Sequence, residues 1–214
     1  MEARLAEMRE SFGYLCSELD LSAQAGKLFD LLDEAYSQPW RAYHNWEHIF
    51  DCLQRLSFVR FHIEQPQLVE FALYFHDAIY DVARSDNEAR SARFASDAFL
   101  DNGGIDEEAC QIYSLIEATQ HNTAATESDA CYMVDIDLAI LGSDKDRFEL
   151  FEEQIRREYQ HIKSHDYYQG RGRIFEKLLS REAIFFTSFF RDSFEKQARE
   201  NLENQLSVWE SMNT

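Results

Sequence analysis

The chain has 214 residues and sets 21 Lys and Arg against 40 Asp and Glu, a formal net charge of −19. This balance argues against a surface built for nucleic-acid polymers or anionic membranes, since both require positive charge. Only 7 Gly and 2 Pro interrupt it, so the expected fold class is all-α, a single helical bundle over 1–214 with its core at about 40–142 and flanking helices at 1–39 and 143–214.

The first expected helix covers 2–19, with Leu5, Met8, Phe12, Leu15 and Leu19 on one stripe. A second covers 22–37, with Ala25, Leu28, Phe29, Leu32 and Tyr36 on its apolar side, and Pro39 ends it. A third runs from His44 to about Arg60 and places His44 and His48 on one face, four residues apart. Pro66 opens a fourth, apolar nearly all round from Leu68 to Tyr80, with His76 and Asp77 near its end.

Further helices are expected at Asp86–Leu100, stopped by Asn102-Gly103-Gly104, and at Asp106–Gln120, followed by His121 and a polar loop at 123–129. Ala130 to Leu141 carries Asp135 and Asp137 and ends at Gly142. A charged helix spans 144–163, Gly170 and Gly172 bracket a break, and helices at 173–190 and 192–212 close the chain. The aromatic run 184–190 either packs internally or offers a homodimer face.

Cys16, Cys52, Cys110 and Cys131 form no Cys-x-x-Cys pair, so reduced, ordinary thiols are expected rather than a thiolate zinc site. The amino-terminal residues are charged, and no apolar stretch of about 18 residues occurs, which fits a soluble, cytoplasmic protein.

Three imidazoles and several carboxylates remain to be explained. His44, His48 and His76-Asp77 are bunched in a chain with 7 His. Burying His76-Asp77 at the end of the most apolar helix is costly unless something binds them, and a metal ion does so. Asp135 and Asp137 are two apart, so one at most faces the same cavity. His62 reads as a loop residue, and His161 and His165 as a solvated helix face.

The order His48, His76-Asp77, Asp137 resembles the HD superfamily of metal-dependent phosphohydrolases. So do the phrases Phe75-His76-Asp77-Ala78-Ile79-Tyr80-Asp81, Asn87-Glu88-Ala89-Arg90-Ser91-Ala92 and Ala198-Arg199-Glu200-Asn201-Leu202, which look like a bacterial subgroup of that superfamily. The resemblance implies one divalent ion held by His48, His76, Asp77 and Asp137, the second Asp of Asp-x-Asp being the ligand. Mixed nitrogen and oxygen donors suit Mn²⁺, Fe²⁺, Co²⁺, Ni²⁺ or Zn²⁺, with Mg²⁺ also admitted. The Tyr43-His44-Asn45-x-x-His48 pattern is similar to that of cyclic-nucleotide phosphodiesterases, which implies His44 as the acid that protonates the leaving oxygen.

Relatives with a Glu three residues after the metal Asp have Tyr80 in its place here. Asp81 and Glu88 are the two carboxylates that can stand in for it. Asp77 is expected both to bind metal and to orient water. His121 either lines the site or is an ordinary helix-end histidine. Arg171, Arg173 and Arg181 are either phosphate clamps or solvated ion-pair partners, with Arg173 taken as the substrate-binding candidate. The implied partner is a small phosphorylated substrate, a nucleotide above all. The alternative is a non-catalytic helical domain that binds metal or nucleotide.

Overall fold

The computed structural model describes residues 2–21, 24–120 and 128–212, and among them the only regular secondary structure is helical. The chain divides into two compact units, Met1–Val134 and Asp135–Thr214.

In the first unit the helices are α1 (Glu2–Glu18), α2 (Ala25–Tyr36), α3 (Trp46–Val59), α4 (Pro66–Phe75), α5 (Asn87–Asp101), α6 (Asp106–Ala118) and most of α7 (Ser128–Leu138). Pro66 occupies the start of α4, and Leu68, Val69, Phe71, Ala72, Leu73, Tyr74 and Phe75 are all buried along it. A helix with no polar stripe belongs in the middle, and α4 is packed by α1, α3, α5 and α6. Phe12 of α1 meets the rings of Phe71, Tyr74 and Phe75 at 6.2, 4.8 and 6.3 Å. Gly103, with φ 102°, lets the chain turn out of α5.

Two ends differ from the pattern of apolar residues. The third helix starts at Trp46, not His44, because Asn45 is its N-cap and accepts the Glu47 N–H at 2.8 Å. His44 therefore lies in the turn before α3. The fourth helix ends at Phe75 rather than Tyr80, leaving His76 and Asp77 in a tight turn closed by Ala78 N–H donating to Phe75 O at 2.9 Å. The carbonyls of Asp77 and Ala78 accept from the Arg41 guanidinium at 2.6 and 3.0 Å, and Ile79 N–H donates to Ser91 Oγ at 3.0 Å. These partners satisfy the backbone without further helix.

The second unit holds the last turn of α7, a 3₁₀ turn at Ala139–Gly142, α8 (Lys145–Glu158) and α9 (Ser164–Leu179). Its last helix, α10, begins as Ser188–Phe190, passes through a π turn at Arg191–Glu195 and continues as Lys196–Met212. A Cβ on Gly142 would stand 2.6 Å from Phe194 Cβ, so the close approach of the 3₁₀ turn to the π turn needs glycine.

Gly170 and Gly172 do not bracket a break; both lie inside α9, where buried Tyr167, Phe175 and Leu178 supply the packing that outweighs about 1 kcal/mol per glycine. The break falls at 180–187. There the Glu195 carboxylate accepts the amides of Ile184 and Phe185, and Asp135 accepts those of Phe186 and Thr187. Side-chain acceptors thus replace helical carbonyls. Ile184, Phe185 and Phe190 are buried, so the aromatic run packs internally at these three positions. His161 and His165 are exposed but do not share a helix, since α8 stops at Glu158 and Arg156 binds the carbonyls of Tyr159 and Ile162.

Candidate metal centre

His48 projects from the first turn of α3 and His76 from the turn after α4, and both are buried. Their Nε2 atoms lie 3.0 Å apart. His76 Nδ1 is 2.8 Å from Leu73 O, so Nδ1 carries the hydrogen and Nε2 presents its lone pair. Two ring nitrogens this close need a proton or a cation between them. Asp77 Oδ2 sits beside both, 3.4 Å from His48 Nε2 and 3.1 Å from His76 Nε2. Two donors bound at about 2.1 Å and at right angles lie about 3.0 Å apart, so this triangle fits adjacent ligands of one ion.

Desolvation resists ionisation of Asp77, yet positive charge on His76 and His44, with hydrogen bonds from His48 and His76, holds its carboxyl well below the usual range. Its side chain is 16% exposed against 2% for each imidazole, so Asp77 marks the flank nearer water.

Helix α7 carries Asp137. Its first turn is tied down where the amides of Glu64 and Gln65 donate to Asp129, each at 2.9 Å, and the helix runs unbroken to Leu138. Within the first unit, one donor atom each from His48, Cys52 and His76 falls within 4.8 Å of the others, while Asp137 belongs to the second unit. Asp135, two positions back, points elsewhere. It is buried and accepts the amides of Phe186 and Thr187 and the Thr187 hydroxyl at 2.7–2.8 Å. Burial raises its carboxyl above the ordinary value, and those three donors oppose the rise.

His44 lies half-buried in the turn before α3, its ring 5.9 Å from that of His48 and 4.2 Å from that of Tyr80. Asp81 is exposed and accepts the Ala83 N–H at 2.9 Å, a local turn. Glu88 is half-buried in the first turn of α5. Arg173 is exposed on α9, while Arg171 pairs with Glu152 at 2.6 Å. His121 lies outside the described residues. His62 is exposed, its ring stacked on Tyr132.

Two residues of the site carried no motif. The cysteine spacing predicts an ordinary thiol at Cys52, yet it stands beside the two histidines, Sγ 3.7 Å from His48 Nδ1 and 3.8 Å from His48 Nε2. Its signal was spacing: it follows His48 by four on the same helical face. Arg41 is buried, and besides Asp77 O and Ala78 O it binds His44 O at 3.1 Å. One guanidinium thereby ties the turn before α3 to the turn that carries His76 and Asp77. No local pattern in sequence announces that reach of 36 residues.

No family model, no curated protein and no solved structure matches this chain. Within the first unit two imidazoles and a thiol lie close together and buried, with the Asp77 carboxylate against both imidazoles, a group of side chains that could hold a metal ion.

Proposed function

We propose that this protein is a metal-dependent phosphohydrolase that cleaves a phosphoester of a nucleotide or similar small phosphorylated metabolite. The observation that carries the proposal is the facing pair of Nε2 atoms with Asp77 Oδ2 against both. The resemblance of the His48, His76-Asp77, Asp137 order to the HD superfamily supports the reaction class.

A bound divalent ion supplies Lewis acidity toward a phosphoryl oxygen and makes a coordinated water acidic near neutral pH. The chain's own groups do the rest. Leu73 O fixes the His76 tautomer. Asp77, kept ionised by its imidazole neighbours, accepts a hydrogen bond from the attacking water and orients it, and the water's proton passes to solvent. His44, whose ring lies 5.9 Å from that of His48, donates a proton to the departing oxygen, a contribution of about 10²–10⁴-fold.

The test is elemental analysis paired with turnover, using Mn²⁺- or Co²⁺-loaded protein against nucleotides and model phosphate esters. His76→Ala and Asp77→Ala are expected to lose metal and activity together. His44→Ala keeps its metal and loses turnover on alkyl esters by the factor above, with much of the loss recovered on a nitrophenyl ester that needs no acid. Undiminished turnover of His44→Ala on alkyl esters refutes the acid role. Stoichiometric metal without turnover across the whole panel supports a non-catalytic metal-binding domain instead.

A further inference from the structure

We infer that Tyr80 is a positioning residue for His44, holding the imidazole where it can deliver a proton to the leaving oxygen. The role rests on the one proposed for His44 as the acid. The Tyr80 and His44 rings lie 4.2 Å apart between centroids and 31° from parallel, closer than the roughly 4.5 Å at which most aromatic pairs settle. Tyr43 and His48 meet the His44 ring nearly edge-on, at 5.0 and 5.9 Å, whereas Tyr80 lies more nearly along its face. The guanidinium carbon of Arg41 stands 5.4 Å from the same Tyr80 ring, and Arg41 Nη1 donates to His44 O at 3.1 Å. Arg41 thus fixes the backbone of His44 while Tyr80 fixes its ring. An imidazole in a turn, with no helix to restrict it, otherwise keeps its choice of rotamers.

Buried polar side chains put Tyr80 there. Ser91, fully buried, accepts the Ile79 N–H at 3.0 Å and donates to Ile79 O at 3.2 Å. Asn87, also buried, accepts the Asp81 N–H at 3.1 Å and donates to Asp81 O at 2.9 Å. The residues on both sides of Tyr80 are therefore pinned by two side chains four apart on α5, one helical face. Ile79 and Tyr80 are only half-buried and Asp81 is exposed, so these clamps do not serve a core side chain at 79–81. They replace the helical hydrogen bonds lost where α4 stops. A backbone held before and after Tyr80 leaves its ring little freedom to move away from His44. In the step served, water adds to phosphorus, the P–O bond to the leaving group breaks, and the departing oxygen takes the proton from His44. The neutral imidazole stays against Tyr80. A ring displaced by about 1 Å delivers that proton poorly, with a loss on the order of 100-fold.

The experiment uses the full chain loaded with Mn²⁺ or Co²⁺ and compares an alkyl phosphate ester with a nitrophenyl phosphate ester. Tyr80→Ala is expected to keep its metal and to lose kcat on the alkyl ester by about 10–100-fold, with KM nearly unchanged. On the nitrophenyl ester, whose leaving group needs no acid, most of that loss is recovered. In a His44→Ala background the same substitution costs no further turnover, because the acid it positions is gone. Tyr80→Phe keeps the ring and with it most of the alkyl-ester rate. Tyr80→Leu, which keeps bulk without a flat ring, takes the place of Tyr80→Ala should the smaller residue fail to fold. Equal losses on both esters, a further loss in the His44→Ala background, a Tyr80→Phe as slow as Tyr80→Ala, or undiminished alkyl-ester turnover in Tyr80→Ala overturns the positioning role and leaves His44 standing as the acid. If His44→Ala does not itself distinguish the two esters, or if the wild type turns over neither, the acid role falls and that of Tyr80 falls with it.

Discussion

Glu70 and Asp77 sit on or just beyond the same helix, yet burial and neighbours drive them in opposite directions. Desolvation raises the Glu70 carboxyl, and the ion pair with Arg60 offsets only part of that rise. A raised carboxyl contributes stability that is fully present below its ordinary value of 4.5 and is lost as pH climbs through the raised folded value. Asp77 has the opposite sign. Its contribution is present above the ordinary 3.8 and disappears as pH falls through its depressed value. Urea unfolding of metal-free protein from about pH 3 to about pH 7 separates the two. Relative to wild type, Glu70→Gln is expected to become progressively more favourable as pH rises above 4.5, whereas Asp77→Asn becomes progressively less favourable as pH rises through the acid range toward 3.8. Parallel curves for all three proteins contradict both assignments.

At the scale of elements, the ends of helices decide the site, and long-range side chains decide the ends. Periodicity was enough to find α1 from Leu5, Met8, Phe12 and Leu15, and α4 from its unbroken apolar run. It could not find where α4 stops, because the carbonyls that end it are taken by Arg41, far upstream. Nor could it find the break at 180–187, held open by Asp135 and Glu195. The order of histidines and aspartates made His48, His76, Asp77 and Asp137 legible as candidates. Cys52 carries no Cys-x-x-Cys partner, and its one signal in the sequence is the four-residue spacing that puts it on the same helical face as His48.

Two substitutions test this division of labour. Arg41→Lys keeps charge but loses the fork that holds the carbonyls of His44, Asp77 and Ala78. It is expected to cost about 3 kcal/mol in urea unfolding and about 10–100-fold in metal affinity. Asp135→Ala deprives two backbone amides and a hydroxyl of their acceptor and is expected to cost about 2–4 kcal/mol with metal stoichiometry retained. Asp137→Ala is expected to do the reverse: weaker metal binding with a small change in the stability of metal-free protein. Equal effects of the two aspartates on both readouts would contradict the metal-ligand role proposed for Asp137.

For the whole molecule, a net charge of −19 means that any divalent cation adds some stability by relieving self-repulsion. Site binding must be told apart from that background. Specific binding stabilises by about 2.7 kcal/mol at one hundred times Kd, and in a chain of this size each kcal/mol moves Tm by about 2–4 °C. Zn²⁺ or Co²⁺ at that level, in about 0.15 M salt where surface charge is screened beyond about 8 Å, should therefore raise Tm by roughly 5–10 °C. His76→Ala should show only the small shift that Ca²⁺ gives to either protein, because its remaining donors no longer include the oriented Nε2. Hydrogen exchange supplies the spatial control. A site-bound ion slows exchange in α3 and in the turn after α4, where His48, Cys52, His76 and Asp77 reside, whereas charge screening slows it without regard to position. A Tm rise of equal size in His76→Ala, with protection spread evenly along the chain, would assign the stabilisation to charge alone and remove the physical basis for a metal centre.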